Sequence, residues 1–149
     1  MRGVVQRVLE ARVRVDGEVV GEIGHGILLL VGVKQGDGPA DVQYVADKAA
    51  NLRIFPDADG RMEVSGLDAG AEVLVVSQFT LSGDARKGRR PSYVQAAGGG
   101  EAEQLYEQVA GRLRGLGLKV ATGRFGADMH IEMTAYGPVT ILLDSEKQF

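Results

Sequence analysis

Two uninterrupted apolar runs, Ile27-Leu28-Leu29-Leu30-Val31 and Val73-Leu74-Val75-Val76, set the strongest constraint on this chain. A strand with one wet face alternates apolar and polar residues, whereas a run without alternation must be covered on both faces. The longest apolar stretch, Ile27 to Val33, is interrupted by a glycine and is far too short to span a bilayer. Both runs are therefore expected to be central strands of a layered fold, with further layers supplied by the rest of the chain.

Those layers are visible in the periodicity. Leu9, Ala11, Val13 and Val15 alternate with Glu10, Arg12, Arg14 and Asp16, as a half-buried strand does. Asp16-Gly17 then signals a hairpin. A three-residue loop ending at Gly17 would set Val13 opposite Val19. A first helix is expected from Pro39, a residue suited to the first helical position, with Val42, Val45, Ala46, Ala49 and Leu52 as its inner stripe. Asp57-Ala58-Asp59-Gly60 is a turn. Leu81 to Gly100 has little periodicity and is expected to be a long loop, which is uncommon unless functional. A second helix is expected from about Glu101, with Ala102, Leu105, Tyr106, Val109 and Leu113 inward, stopping at Gly115-Leu116-Gly117. Leu118-Lys119-Val120, Met129 to Thr134 and Val139 to Leu143 have the character of closing strands. Strands first, helices in the middle and strands again point to a mixed α/β fold with helices covering one side of a strongly bent sheet.

Composition limits the chemistry. The 149 residues suit a single domain spanning 1–149, with 44% hydrophobic and 25% charged residues, values ordinary for a globular protein. No secretory signal is evident at the N-terminus, so a cytoplasmic location is the expectation. The absence of cysteine excludes disulfides, Cys-ligated metal and a thiolate nucleophile. With only His25 and His130, a His-rich zinc site is impossible. Net charge is −3, so contact with a polyanion would need a local basic patch.

Four features stand out against this background. Ser77-Gln78-Phe79-Thr80-Leu81 lies where the second apolar run emerges, a place where the sheet fixes polar side chains. An ordinary strand end, with hydroxyls bonded to local backbone, would look the same. No G-x-S-x-G elbow supports a serine hydrolase. Arg86, Lys87, Arg89 and Arg90 put four cations in five positions shortly afterwards, either as a phosphate-contacting loop or as a solvated one. Tyr136-Gly137-Pro138-Val139-Thr140 separates two strand-like segments, and proline there marks an edge, a hairpin turn or a bulge. The two histidines have no spaced partner that suggests a metal or a proton relay.

Taken together, these residues resemble the D-aminoacyl-tRNA deacylases of bacteria and eukaryotes. Ser77-Gln78-Phe79-Thr80-Leu81 matches the family's SQFTL motif, and Gly137-Pro138-Val139-Thr140 matches the end of its second motif, Asn-x-Gly-Pro-Val-Thr. Gln6-Arg7-Val8, Arg53-Ile54-Phe55, Gly88-Arg89-Arg90-Pro91-Ser92 and Thr122 to Met129 add flanking agreement across nearly the whole chain. One departure is that Ala135 stands where the pattern has asparagine, so any loop-fixing bond from that amide is missing or replaced by another group.

The resemblance implies an α/β fold of β/β/α layers: strongly bent, barrel-like antiparallel sheets with two main helices on one side. It implies a homodimeric editing hydrolase, without cofactor or metal and with no membrane partner, that cleaves the ester of D-aminoacyl-tRNA and of mischarged glycyl-tRNA. It also implies a cis Gly137–Pro138 bond whose loop enters the partner's pocket and rejects L-amino acids by collision. Ser77, Gln78, Phe79 and Thr80 would line that pocket. The Phe79 and Thr80 amides would face the oxyanion, with Thr80 positioning rather than attacking and the RNA's own 2′-hydroxyl assisting. Arg7, Phe125 and Met129 would support the inserted loop and the adenine region, and Arg86, Lys87, Arg89 and Arg90 would contact the tRNA backbone. A Thr80 nucleophile is the rival chemistry. A non-catalytic RNA-binding or ribosome-associated module is the rival class, separated from the enzyme by incubation with D-Tyr-tRNA and L-Tyr-tRNA.

Overall fold

The computed structural model describes all residues, Met1–Phe149. Its organising element is β1 (Arg2–Val15), which is hydrogen-bonded along both edges. One edge carries β8 (His130–Asp144) over almost the full length of β1. The other edge is shared in succession, by β3 (Gly26–Gly32) against residues 2–8 and by β2 (Glu18–Ile23) against residues 11–15. The strand must bend where it changes partner. A register shift against β8 between Val8 and Glu10 supplies the bend, so that Val8 and Ala11 share one face. Leu9 is consequently 49% exposed and drops out of the inward series that Ala11, Val13 and Val15 maintain.

The β1–β2 turn is shorter than the alternation suggests. Val15 faces Glu18, leaving Asp16 and Gly17 alone in the loop with φ of 51° and 81°. These are the angles of a type I′ turn, whose twist suits a hairpin. A further shift after Val13 sets it opposite Gly21, and Val19 lies opposite Arg14.

Beyond β3 the sheet becomes parallel. β6 (Glu72–Ser77) runs parallel to β3, and β7 (Lys119–Thr122) runs parallel to β6. Parallel neighbours need long crossovers, which here contain α1 (Pro39–Asn51) and α2 (Gly99–Gly115). The bent sheet with helices on one side agrees with expectation, but its strands are mixed rather than wholly antiparallel. The helices also follow their predicted faces, except that α1 ends at Asn51, so Leu52 caps it rather than extending its stripe, and Ala50 is buried. Asp41 accepts the Gly38 amide at 2.8 Å at the start of α1, and Arg112 of α2 grips Asp47 of α1 with two hydrogen bonds of 2.7 Å. α2 begins two residues ahead of Glu101, at Gly99.

Two further elements differ from the sequence reading. Residues 130–144, expected as two strands around a turn, form one strand, because β1 holds both halves in a single ladder. A small hairpin of β4 (Arg53–Pro56) and β5 (Met62–Ser65), joined through the Asp57–Gly60 turn, was not anticipated.

The strand order β2-β1-β3-β6-β7 curls until β7 meets β2. Val8, Ala11, Val13, Ile23, Leu28, Leu74 and Val76 fill the interior of this barrel-like sheet. Ile27, Leu29 and Val31 of β3, with Val73 and Val75 of β6, face the helices, where Val45, Ala46, Ala49, Val109 and Leu113 cover them. Both apolar runs are thus buried on both faces. No helix is long and apolar enough to cross a membrane.

The seam between β2 and β7 depends on close backbone approach. A Cβ at Gly21 would lie 2.3 Å from the Thr122 carbonyl oxygen. Gly21→Ala is therefore expected to push the seam apart and destabilise the fold by about 1–3 kcal/mol, the usual cost of overpacking. Chemical denaturation checks the loss, and hydrogen exchange should show faster opening at β7 than at β1.

Candidate active site

At the C-terminal ends of parallel strands, side chains leave the sheet while their backbone is still held by it. β6 delivers Ser77 and Gln78 to such a point beside β3, where the Gln78 amide donates to the Val31 carbonyl at 2.8 Å. The chain then tightens into a 3-10 turn, Phe79–Ser82. The amides of Phe79 and Thr80 open this turn and have no acceptor within the chain, the usual fate of the first donors of a helical turn. The Gln78 side-chain amide donates to the Thr80 hydroxyl. Contrary to expectation, Thr80 is exposed and, unlike Ser77, Gln78 and Phe79, does not line the adjoining cavity.

A cavity of about 510 Å³ lies beside this turn. Ser77, Gln78 and Phe79 form one wall, Val31 and Val33 another, and the first turns of α2 a third through Ala102 and Tyr106. Residues 125–129, which follow β7, close it with Phe125 and Met129. The lining is mostly apolar with few polar groups, among them Ser77, Gln78 and Asp128. A space of this size and character suits a small organic group oriented by a few hydrogen bonds.

Tyr106 ties the back of the cavity to the sheet. Its hydroxyl donates to the Val75 carbonyl at 2.8 Å, and its ring lies 5.8 Å from that of Phe125. At the mouth, the Phe79 ring is 58% exposed and meets Tyr93 edge-on at 5.2 Å. The sequence showed Tyr106 only as a core-facing residue of α2. Its second role depends on a carbonyl from a distant strand.

Gly137 and Pro138 do not line the cavity of their own chain. Gln6 pairs with Thr140 and Val8 with Ala135, so Tyr136 to Val139 stand opposite Arg7 alone and bulge from the ladder. Gly137–Pro138 is cis, and Gly137 has φ of 121°. Arg7 lies at the base of this bulge rather than in the cavity. Its Nε donates to the Tyr136 carbonyl at 3.0 Å, and its Nη1 to the Ile54 carbonyl at 2.6 Å. Of the two histidines, His25 packs against Phe55 and Tyr136, with ring centroids 5.3 and 5.8 Å away, while His130 is exposed at the start of β8.

The basic cluster occupies an exposed loop closed by paired backbone hydrogen bonds between Asp84 and Ser92. Its cations are not equivalent. Arg86 makes two side-chain hydrogen bonds to Asp84, at 2.9 and 2.7 Å, and these hold that carboxyl well below the usual carboxylate range. Lys87, Arg89 and Arg90 form no ion pair and face solvent. The loop adjoins the cavity mouth through Tyr93, which packs on Phe79.

Comparison with known proteins places this geometry in a family. The family model described as D-Tyr-tRNA(Tyr) deacylase matches residues 4–144. A D-aminoacyl-tRNA deacylase of Heliobacterium modesticaldum is 57% identical over 144 residues, covering 97% of this chain and 96% of that one. One from Anaeromyxobacter dehalogenans is 56% identical over 149 residues, covering the whole of both. Among solved structures, that of a c-Myc DNA unwinding element binding protein superposes with a TM-score of 0.91 at 38% identity, covering 97% of this chain and 98% of the other.

Burial pushes the Tyr106 hydroxyl up to about 12 from its ordinary 10. A raised value favours the protonated form in the folded state. Its contribution to stability is therefore complete below pH 10 and is lost as pH rises towards about 12. In an alkaline titration, the phenolate absorbance missing from Tyr106→Phe should appear only near the upper end of that window. Its appearance near pH 10 would show an accessible hydroxyl.

Proposed function

The chain belongs to the D-Tyr-tRNA(Tyr) deacylase family and is a tRNA-editing hydrolase of the aminoacyl ester, and we propose that its cavity receives the aminoacylated 3′ end of the tRNA. The observation that carries this reading is the pair of unpartnered amides, Phe79 and Thr80, opening a tight turn beside an apolar cavity.

An aminoacyl ester is already activated and needs orientation more than a strong nucleophile. In the proposed reaction, the ester carbonyl oxygen faces the Phe79 and Thr80 amides. Water adds to the carbonyl carbon, and the negative charge developing on oxygen is met by donors that need no rearrangement. Collapse breaks the bond to the ribose 3′-oxygen, which regains a proton. The neighbouring 2′-hydroxyl relays protons during these steps, so no protein side chain must do so. Ser77 and Gln78 orient the amino acid, Phe125 and Met129 flank the adenosine, and the Thr80 hydroxyl positions.

Selection is proposed to act across a homodimer, with the Gly137–Pro138 bulge of one subunit entering the cavity of its partner. Two features support this arrangement. The bulge protrudes and does not line its own chain's cavity. The β8 strand that carries it leaves Ile131, Met133 and Leu142 between 36 and 58% exposed, an apolar strip suited to burial against a second copy. An L side chain would meet main-chain atoms of Gly137 and Pro138, whereas a D side chain or the hydrogen of glycine would not. Lys87, Arg89 and Arg90 are proposed to meet acceptor-strand phosphates, with a smaller part for Arg86 because Asp84 already engages it. Such a substrate is encountered in the cytoplasm, where translation occurs.

The deciding experiment follows deacylation of D-Tyr, L-Tyr and glycyl esters on one tRNA. The D-Tyr and glycyl esters should be hydrolysed and the L-Tyr ester spared. Glycine grouping with the L substrate would overturn selection by collision. Absence of D-Tyr hydrolysis, with RNA binding intact, would favour a binding module.

The division of labour is tested separately. Thr80→Ala should retain activity within about tenfold of wild type, equivalent to about 1.4 kcal/mol. Replacing the terminal 2′-hydroxyl by hydrogen should slow hydrolysis at least about 100-fold, the scale of a lost proton-transfer partner. An aminoacyl adduct trapped on Thr80 would make that residue the nucleophile instead.

A further inference from the structure

We infer that Tyr136 is a positioning residue for chiral selection: its ring serves as the counter-group of the buried Arg7 guanidinium and thereby fixes the Gly137–Pro138 bulge. The inference rests on the proposed role of that bulge in rejecting L-amino acids.

The starting point is an electrostatic imbalance. Arg7 is only 6% exposed, yet no carboxylate pairs with it. A buried cation normally requires a charged partner or a full set of hydrogen bonds. Arg7 has two carbonyl acceptors, those of Ile54 and Tyr136, and its guanidinium carbon lies 4.1 Å from the centre of the Tyr136 ring. At that distance a desolvated cation is attracted to the negative face of the ring. Tyr136 therefore engages Arg7 twice, through its carbonyl and through its ring. His25 packs against the same ring, with centroids 5.8 Å apart.

This contact is transmitted directly to the bulge. A Cβ on Gly137 would lie 2.9 Å from Arg7 Nη2, so main chain and guanidinium are already in close contact there. With four residues of β8 facing one of β1, the ladder cannot fix this stretch. The neighbouring Ala135 has only a methyl group and offers no side-chain hydrogen bond. If the Tyr136 ring were lost, Arg7 would be left with one face uncompensated. The guanidinium would turn towards water, taking with it the donor that holds the Tyr136 carbonyl. The bulge would then sample orientations in which its main chain no longer blocks an L side chain. Selectivity should suffer more than hydrolysis, because the amides and cavity walls belong to other elements.

The test compares wild type with Tyr136→Phe, Tyr136→Leu and Tyr136→Ala. For each, kcat/KM is measured on D-Tyr-tRNA and L-Tyr-tRNA, together with Tm. Tyr136→Phe keeps the ring and should match the wild-type D/L ratio within about twofold. Tyr136→Leu fills similar space without a π face, and its D/L ratio should fall at least tenfold. Tyr136→Ala should fall as far or further, and the leucine variant carries the test if alanine prevents folding. A leucine variant with the wild-type ratio overturns the inference, as does one whose D and L rates fall equally in step with Tm. A phenylalanine variant that loses selectivity also overturns it. Wild-type enzyme that hydrolyses both esters equally would instead defeat the reading of the bulge itself, before any variant is compared.

Discussion

The fold depends on the hydrogen-bonding demand of one strand. β1 has a partner on each edge for almost its entire length, yet one edge changes from β3 to β2 part of the way along. A flat strand cannot serve partners that diverge in this way. The ladder to β8 yields on both sides of Val8, with shifts between Gln6 and Val8 and between Val8 and Glu10. The second bends β1 so that the sheet can curl towards its β2–β7 seam. The first expels Tyr136 to Val139. Barrel closure and projection of the Gly-Pro segment are therefore two consequences of the same local mismatch.

The cavity draws on a different part of the architecture. Two parallel pairs bring the C-terminal ends of β3, β6 and β7 to one side, from which the crossovers containing α1 and α2 leave. An apolar cavity there strengthens any hydrogen bond made within it, because little water competes. In the proposed mechanism, such a setting would let main-chain donors perform work that titrating side chains perform elsewhere. The charge distribution is consistent with this division. A chain of net charge −3 places four of its 17 lysines and arginines in one loop near the mouth, and Asp84 offsets one of them.

Much of this was legible in the sequence, for identifiable reasons. Unbroken apolar runs have few alternatives to doubly covered strands, and Pro39 with the Val42 to Ala49 stripe allows little besides a helix start. The Ser77 to Thr80 segment stood out because polar residues end an apolar strand. The reading failed where a partner decided the outcome. Pro138 suggests a break in a strand, but the ladder to β1 continues past it on both sides. Leu9 satisfies the alternation locally, yet a shift imposed by β8 turns it outward. The β4–β5 hairpin has short strands and includes Pro56, so its periodicity is too brief to register. Arg7 and Tyr136 lie 129 positions apart, and nothing in either neighbourhood announces their contact.

That contact has a consequence for the proposed assembly. Segments that order only on docking lose conformational entropy at the moment of association, which weakens binding for a given area. The Gly-Pro bulge is instead held by Arg7 of its own chain, which the Ile54 carbonyl in turn anchors. In the proposed assembly, a receiving surface would meet a part already shaped, so recognition would be a rigid fit whose ordering cost had been met during folding of the single chain.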